Sequence, residues 1–138
     1  MNKQERCVWL INALLDEMPQ YRDAPIPSLQ MKQWQLLRSL MNVRPPMPAA
    51  EAFLAVQDEY LRQMTREKGV VDVASLTTCA LDRRLYLWQG DITTLRCDAI
   101  VNAANSQLLG CFSPCHGCID NATLHTITQN RFYIMANS

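Results

Sequence analysis

Through the first half of the chain, apolar residues recur at helical spacing, and then they shorten into brief runs. Cys7, Leu10, Ile11, Leu14 and Met18 fall on one stripe, and Trp9 and Leu15 widen it, which predicts a helix packed on more than one side. Pro19, Pro25 and Pro27 interrupt the pattern. Ser28 then offers an N-cap for a second helix, with Trp34, Leu37 and Met41 on one side and Leu36 and Leu40 beside them. Pro45, Pro46 and Pro48 end that helix. A third runs through Phe53, Val56, Tyr60 and Met64 and carries Arg66 and Lys68 in its last turn. It meets Gly69 where a left-handed cap is wanted. Residues 1–69 are therefore predicted to be all helical, a small bundle with the character of a scaffold.

Beyond Gly69 the texture changes. Residues 70–76 are short and β-branched, and Asp82, Arg83 and Arg84 form a charged turn. Leu85, Tyr86, Leu87 and Trp88 read as a strand buried on both faces and bounded by Gly90. Ala99, Ile100 and Val101 read as a second strand, ending at Asn102. The link between these runs is shorter than the crossover of about a dozen residues that joins a parallel pair. The two strands are thus expected apart in the sheet, or with a gap left for a later strand. Residues 70–138 are predicted to be α/β.

Composition narrows the class. The 138 residues suit one domain, or a domain with an appendage. Hydrophobic residues make up 49% and charged residues 19%, which suits a packed core. Thirteen basic residues balance thirteen acidic ones, 13 against 13, so no strong field holds a polyanion, which argues against a nucleic-acid partner. No apolar run approaches the roughly 18 residues of a membrane span, so no membrane partner is expected. The first twenty residues carry acids at Asp16 and Glu17 and no small-residue cleavage site, which predicts a cytoplasmic protein.

The chemistry concentrates in residues 90–121, which hold four of the 6 cysteines and one of the 2 histidines. In open α/β sheets, ligands lie beyond the carboxyl ends of the strands, where Asp91, Asn102 and Asn105 are expected. A carboxylate at Asp91 would accept from an exocyclic amine, and the amide of Asn105 suits a sugar hydroxyl. Both residue types are equally at home in ordinary turns. Cys111, Cys115, His116 and Cys118 stand as C-x3-C-H-x-C, a donor set that suits zinc. The side chains of neighbours Cys115 and His116 tend to point apart in an extended loop. Cys111, His116 and Cys118 are therefore the favoured ligands, with an open fourth position as in catalytic zinc sites. Free thiols without a metal are the alternative.

The succession GDIT, DAIVNAAN and LLGCF-x-P-x-H-x-CIDN resembles the zinc-containing macrodomains, bacterial protein-ADP-ribose hydrolases, over about residues 85–121. The helical segment before it is similar to the extension that precedes the macrodomain in that family. The resemblance implies a macrodomain-like mixed sheet with flanking helices, preceded by an all-helical extension over residues 1–69. It implies that Asp91 binds the adenine amine with Ile92 alongside, and that Asn105 contacts the distal ribose. It also implies that Cys111, His116 and Cys118 hold Zn2+ and that Asp120 faces the distal ribose, while Cys115 falls at a variable position. The implied reaction is hydrolysis of the bond joining ADP-ribose to a protein side chain, with Asn105 and Asp120 orienting the sugar.

The resemblance departs after Asn121. The chain continues Ala122, Thr123, Leu124 and His125, one residue out of step with the family pattern, and then TITQNRFYIMANS, which shows no amphipathic stripe. A frameshift or an early stop is the simplest account. The 4 glycines offer no glycine-rich loop for a diphosphate. Residues 70–138 are accordingly expected to hold the N-terminal part of a truncated macrodomain without turnover of its own. A non-catalytic ADP-ribose-binding module, or a zinc-binding remnant, is the alternative. A zinc-knuckle interaction module is disfavoured by the neutral charge and by the lack of aromatics around the loop.

Overall fold

Helix α1 (Lys3–Glu17) starts from a capping box: Asn2 Oδ1 accepts from the Glu5 amide at 2.9 Å, and the Asn2 amide donates to Glu5 Oε2 at 2.8 Å. The computed structural model describes residues 1–45, 47–104, 111–119, 121 and 131–136, with 102–104 and 131–136 described by backbone alone. Every residue of the predicted stripe, Cys7, Leu10, Ile11, Leu14 and Met18, is buried, and so is Leu15. Helix α1 packs against both α2 (Gln30–Val43) and α3 (Glu51–Lys68), which explains why its apolar face is wide. Leu37 and Leu40 from α2 and Phe53, Tyr60 and Leu61 from α3 complete the core. Each such side chain contributes roughly 1.5–3 kcal/mol when fully buried. Trp9 lies at the rim, its ring centroid 6.4 Å from that of Phe53.

The helix ends follow local chemistry. Helix α3 stops at Gly69, whose φ of 90° suits glycine, with Arg66 and Lys68 in the last turn. Helix α2 begins at Gln30, and Ser28 is not its cap. Leu29 occupies that position without a side-chain bond, and Gln33 Nε2 donates to the Pro27 carbonyl at 2.7 Å. The proline-rich link after α2 is tied down by Arg44, which donates to Glu17 Oε2 at 2.6 Å and to the Met47 carbonyl at 2.9 Å. Inside the bundle, burial raises the pKa of the Cys7 thiol, partly offset by a hydrogen bond with Tyr60. Burial, and then the Cys7 contact, push the Tyr60 phenol up as well.

After the helices come short parallel strands, so the described chain is mixed α/β. Strand β1 (Val71–Asp72) pairs in parallel with β2 (Leu95–Arg96), and Arg96 reaches Asp72 at 3.5 Å. Strand β3 (Ala99–Ala104) pairs in parallel with β4 (Arg131–Ala136), from Ala99 opposite Arg131 to Ala104 opposite Ala136. The expected gap between two apolar-run strands does not arise, because residues 85–88 form no strand; the second run takes its partner from residues 131–136. The aromatic and β-branched residues of RFYIMA suit a strand, although no helical stripe marks them. Strand β3 also runs on past Asn102, which lies within it rather than after it.

Residues 85–88 are not the doubly buried strand that their apolar run predicts. Leu85 and Leu87 are 56% and 93% exposed, and Tyr86 makes a single antiparallel bridge to Thr78. The reason is local. The Leu85 amide donates to the Asp82 carbonyl at 3.0 Å, and the Leu85 carbonyl accepts from the Cys79 amide at 2.6 Å. Arg84 pairs with Asp82 at 2.7 Å, which closes the turn. A run of four apolar residues cannot by periodicity alone distinguish a buried strand from a turn flank.

These placements separate two leucines. Leu14→Ala removes a fully buried side chain and is expected to cost about 2–5 kcal/mol, whereas Leu87→Ala should stay within about 0.5 kcal/mol. Urea unfolding followed by helical circular dichroism measures both. Equal costs would contradict the exposed placement of Leu87.

Candidate metal centre

The Sγ atoms of Cys111 and Cys118 and a ring nitrogen of His116 lie within 4.8 Å of one another, the one such group of His, Cys and acidic side chains among the described residues. Cys111 Sγ is 3.6 Å from His116 Nδ1. A tetrahedral zinc with bonds of about 2.3 Å to sulfur and about 2.0–2.1 Å to nitrogen sets that edge at about 3.5–3.6 Å. Two soft thiols and a borderline imidazole at this spacing fit a metal of the zinc type. Cys111 and Cys118 are half-buried and His116 is exposed, so the cluster opens to solvent on one side.

The local backbone explains the convergence. Cys115 has φ of 52°, in the left-handed region that L residues visit at a cost of roughly 1–2 kcal/mol. The His116 amide donates to the Ser113 carbonyl at 3.1 Å and closes the turn. This turn sends neighbouring side chains different ways. His116 faces Cys111, whereas Cys115 Sγ lies 3.4 Å from Ser39 Oγ and 3.5 Å from the Gln35 carbonyl, both on α2. Cys115 is absent from the three-residue group.

Helix α2 holds the loop at several points. Asn42 Nδ2 donates to the Cys111 carbonyl at 2.9 Å, and Asn42 Oδ1 accepts from the Cys115 amide at 3.2 Å. Arg38 donates to the His116 carbonyl at 3.0 Å and, through Nε, to Asn121 Oδ1 at 2.9 Å. Asn121 is 0% exposed and donates from Nδ2 to the Ser113 carbonyl at 3.1 Å, while its amide lies 3.4 Å from Cys118 Sγ. Sequence reasoning singled out none of Arg38, Asn42 or Asn121 as functional. The available signal was polar residues one turn apart, at 38 and 42, on a helix whose other face is core.

Asp91 stands outside the cysteine and histidine group. It caps a 3₁₀ turn over Ile92–Thr94, its Oδ1 accepting from the Thr93 amide at 3.0 Å and the Thr93 hydroxyl at 2.6 Å. Lys68, the last residue of α3, donates to Asp91 Oδ2 at 3.0 Å. Burial pulls the carboxyl pKa upward, but the bonds from Thr93 and Lys68 outweigh it and hold the group below the ordinary carboxylate range. Ile92 is half-buried beside it. Asn105 and Asp120 lie outside the described residues. No helix among the described residues is long and apolar enough to cross a membrane.

A chain with this Cys-His-Cys loop behind three helices has clear kin: it is homologous to bacterial protein-ADP-ribose hydrolases over 91% of its length. It is 49% identical over 128 residues to a protein-ADP-ribose hydrolase of Treponema medium, and 43% identical over 125 residues to one of Staphylococcus aureus (strain MRSA252). Each match spans 91% of this chain but 49% and 46% of the two relatives, so the chain spans about half their length. No protein-family model matches it.

Two outcomes are expected here. With Zn2+ present, Cys111 and Cys118 should be protected from iodoacetamide while Cys115 stays reactive and Cys7, buried in the bundle, stays inert throughout; peptide mapping reads all four. Equal protection of Cys115 would indicate a fourth ligand. Separately, the depressed Asp91 pKa stabilises the fold above the unfolded value of about 3.9, and that stabilisation is lost as pH falls through the lower folded value. Asp91→Asn should therefore destabilise at neutral pH and progressively less below about pH 4, as measured by urea unfolding across pH.

Proposed function

We propose that the chain carries the metal-binding and adenine-binding part of a zinc-containing macrodomain that hydrolyses the bond between ADP-ribose and a protein side chain. The observation that carries this reading is the convergence of Cys111, His116 and Cys118 within 4.8 Å in a chain homologous to protein-ADP-ribose hydrolases. In this reading residues 1–69 form a helical extension and residues 70–138 the N-terminal part of the macrodomain. The substrate is an ADP-ribosylated protein, and free ADP-ribose is the product.

Cys111, His116 and Cys118 would hold the metal, the two cysteines as thiolates and the histidine as neutral imidazole. Zinc bound there would supply a Lewis acid, able to polarise an oxygen or activate water. Asp91 would accept from the adenine amine: a carboxylate has about four acceptor directions, and the contacts from Thr93 and Lys68 occupy three of them. Lys68 also aims Oδ2, so the remaining direction is fixed before the nucleotide arrives. Ile92 would pack beside the base. Asn105 and Asp120 would orient the distal ribose. Water gives its hydroxyl to the anomeric carbon as the bond to the protein side chain breaks, and the side chain leaves with a proton. The adenine contacts supply remote binding energy that positions the scissile bond.

Isothermal titration with ADP-ribose tests the nucleotide half of the reading. Asp91→Ala should weaken binding roughly 10- to 100-fold, the loss of a charged hydrogen bond of about 1.5–3 kcal/mol. The reaction itself is tested by ADP-ribose release from a modified protein, using a chimera that adds the remaining half of the Treponema medium relative. Release should require zinc and be abolished by Asn105→Ala or His116→Ala. A chimera that binds zinc and ADP-ribose without releasing product would favour the non-catalytic binding module and overturn the hydrolase reading.

A further inference from the structure

The geometry points to Arg38 and Asn42 as positioning residues of the metal centre, through which helix α2 sets the metal affinity of a loop some seventy residues further along the chain. This inference rests on the reading of Cys111, His116 and Cys118 as ligands. Two of the three ligands are anchored directly by these side chains. Asn42 Nδ2 holds the Cys111 carbonyl at 2.9 Å, and Arg38 holds the His116 carbonyl at 3.0 Å. Cys118 is reached indirectly: its Sγ lies 3.4 Å from the amide of Asn121, whose side-chain oxygen accepts from Arg38 Nε at 2.9 Å. Residues 38 and 42 are one helical turn apart and share a face of α2. Two neighbouring side chains on a rigid helix thus hold two of the ligands directly and the third through Asn121.

The physical consequence is preorganisation. Ordering a free loop costs roughly 1–2 kcal/mol per residue in backbone entropy, and a metal that had to order this loop would bind correspondingly less well. Asn42 also accepts from the amide of Cys115 at 3.2 Å, which offsets part of the cost of the left-handed turn there. With these anchors the ordering is done in folding, before the ion arrives. Outer contacts of this kind typically change metal affinity about 10- to 100-fold.

Cobalt titration of the 138-residue chain, read at the thiolate-to-cobalt absorption band, tests this together with Zn2+ competition against a chelator. Asn42→Leu and Arg38→Met should each bind metal about 10- to 100-fold more weakly, with a shifted or weakened cobalt band and an unchanged helical dichroism signal. Arg38→Lys should recover part of the affinity, because an ammonium can reach the His116 carbonyl but cannot fork to Asn121 as well. Parental affinity and spectrum in the Leu and Met variants would overturn the inference alone. Metal loss that only tracks loss of the helical signal would also overturn it, by reducing both residues to fold stability. A parent chain that takes up no cobalt would sink the metal reading itself and this inference with it.

Discussion

A fully buried side-chain amide must find partners for its oxygen and its nitrogen inside the protein, and Asn121 finds them on both sides of one junction. Its oxygen accepts from Arg38 of α2, and its nitrogen donates back to the Ser113 carbonyl of the candidate metal loop. An unsatisfied partner at such depth costs about 1–3 kcal/mol. The junction is therefore all or nothing: withdrawing the guanidinium strands the Asn121 oxygen and releases the His116 carbonyl together. Loop 111–119 has few apolar anchors, since Phe112 and Ile119 are both exposed. Hydrogen bonds from α2, rather than burial, give it shape.

That places the burden on α2, and α2 is in turn positioned by the bundle. Leu37 and Leu40 are buried against α1, which fixes the rotation of α2 about its axis and so turns residues 38 and 42 toward the loop. Arg44 ties the end of α2 to Glu17 at the end of α1, against sliding of one helix along the other. At the other end of the bundle, Lys68 closes α3 and reaches Asp91. The helical segment thus touches both candidate sites, the metal loop through α2 and the carboxylate through α3. A scaffold reading of residues 1–69 understates this.

The bundle was legible in the sequence because helical periodicity over fourteen or more residues is a repeated signal, and each stripe residue of α1 reports the same face. The grouping of Cys111, His116 and Cys118 was legible from donor chemistry and spacing. Less could be read where one interaction decides. A four-residue apolar run at 85–88 was outweighed by a single turn closed by Asp82 and Arg84. The aromatic residues of strand β4 are only a weak cue without the edge that β3 offers, because strand propensity depends on the partner. Arg38 and Asn121 lie 83 residues apart, and no local pattern predicts such a pair.

The separation of Cys115 shows how the same grouping can rest on a different cause. Sequence reasoning separates Cys115 from His116 because the side chains of neighbours point apart in an extended loop. The loop is not extended there: a left-handed residue at Cys115 makes a turn, and the turn is what brings His116 back toward Cys111. Strain of this size persists only where surrounding contacts over-determine it, and the hydrogen bonds that Cys115 makes with Asn42, Ser39 and the Gln35 carbonyl do so. The thiol that faces away from the cluster is therefore part of how the cluster forms. Its backbone supplies the bend, and its side chain secures that bend to the helix that holds the other two points of the loop.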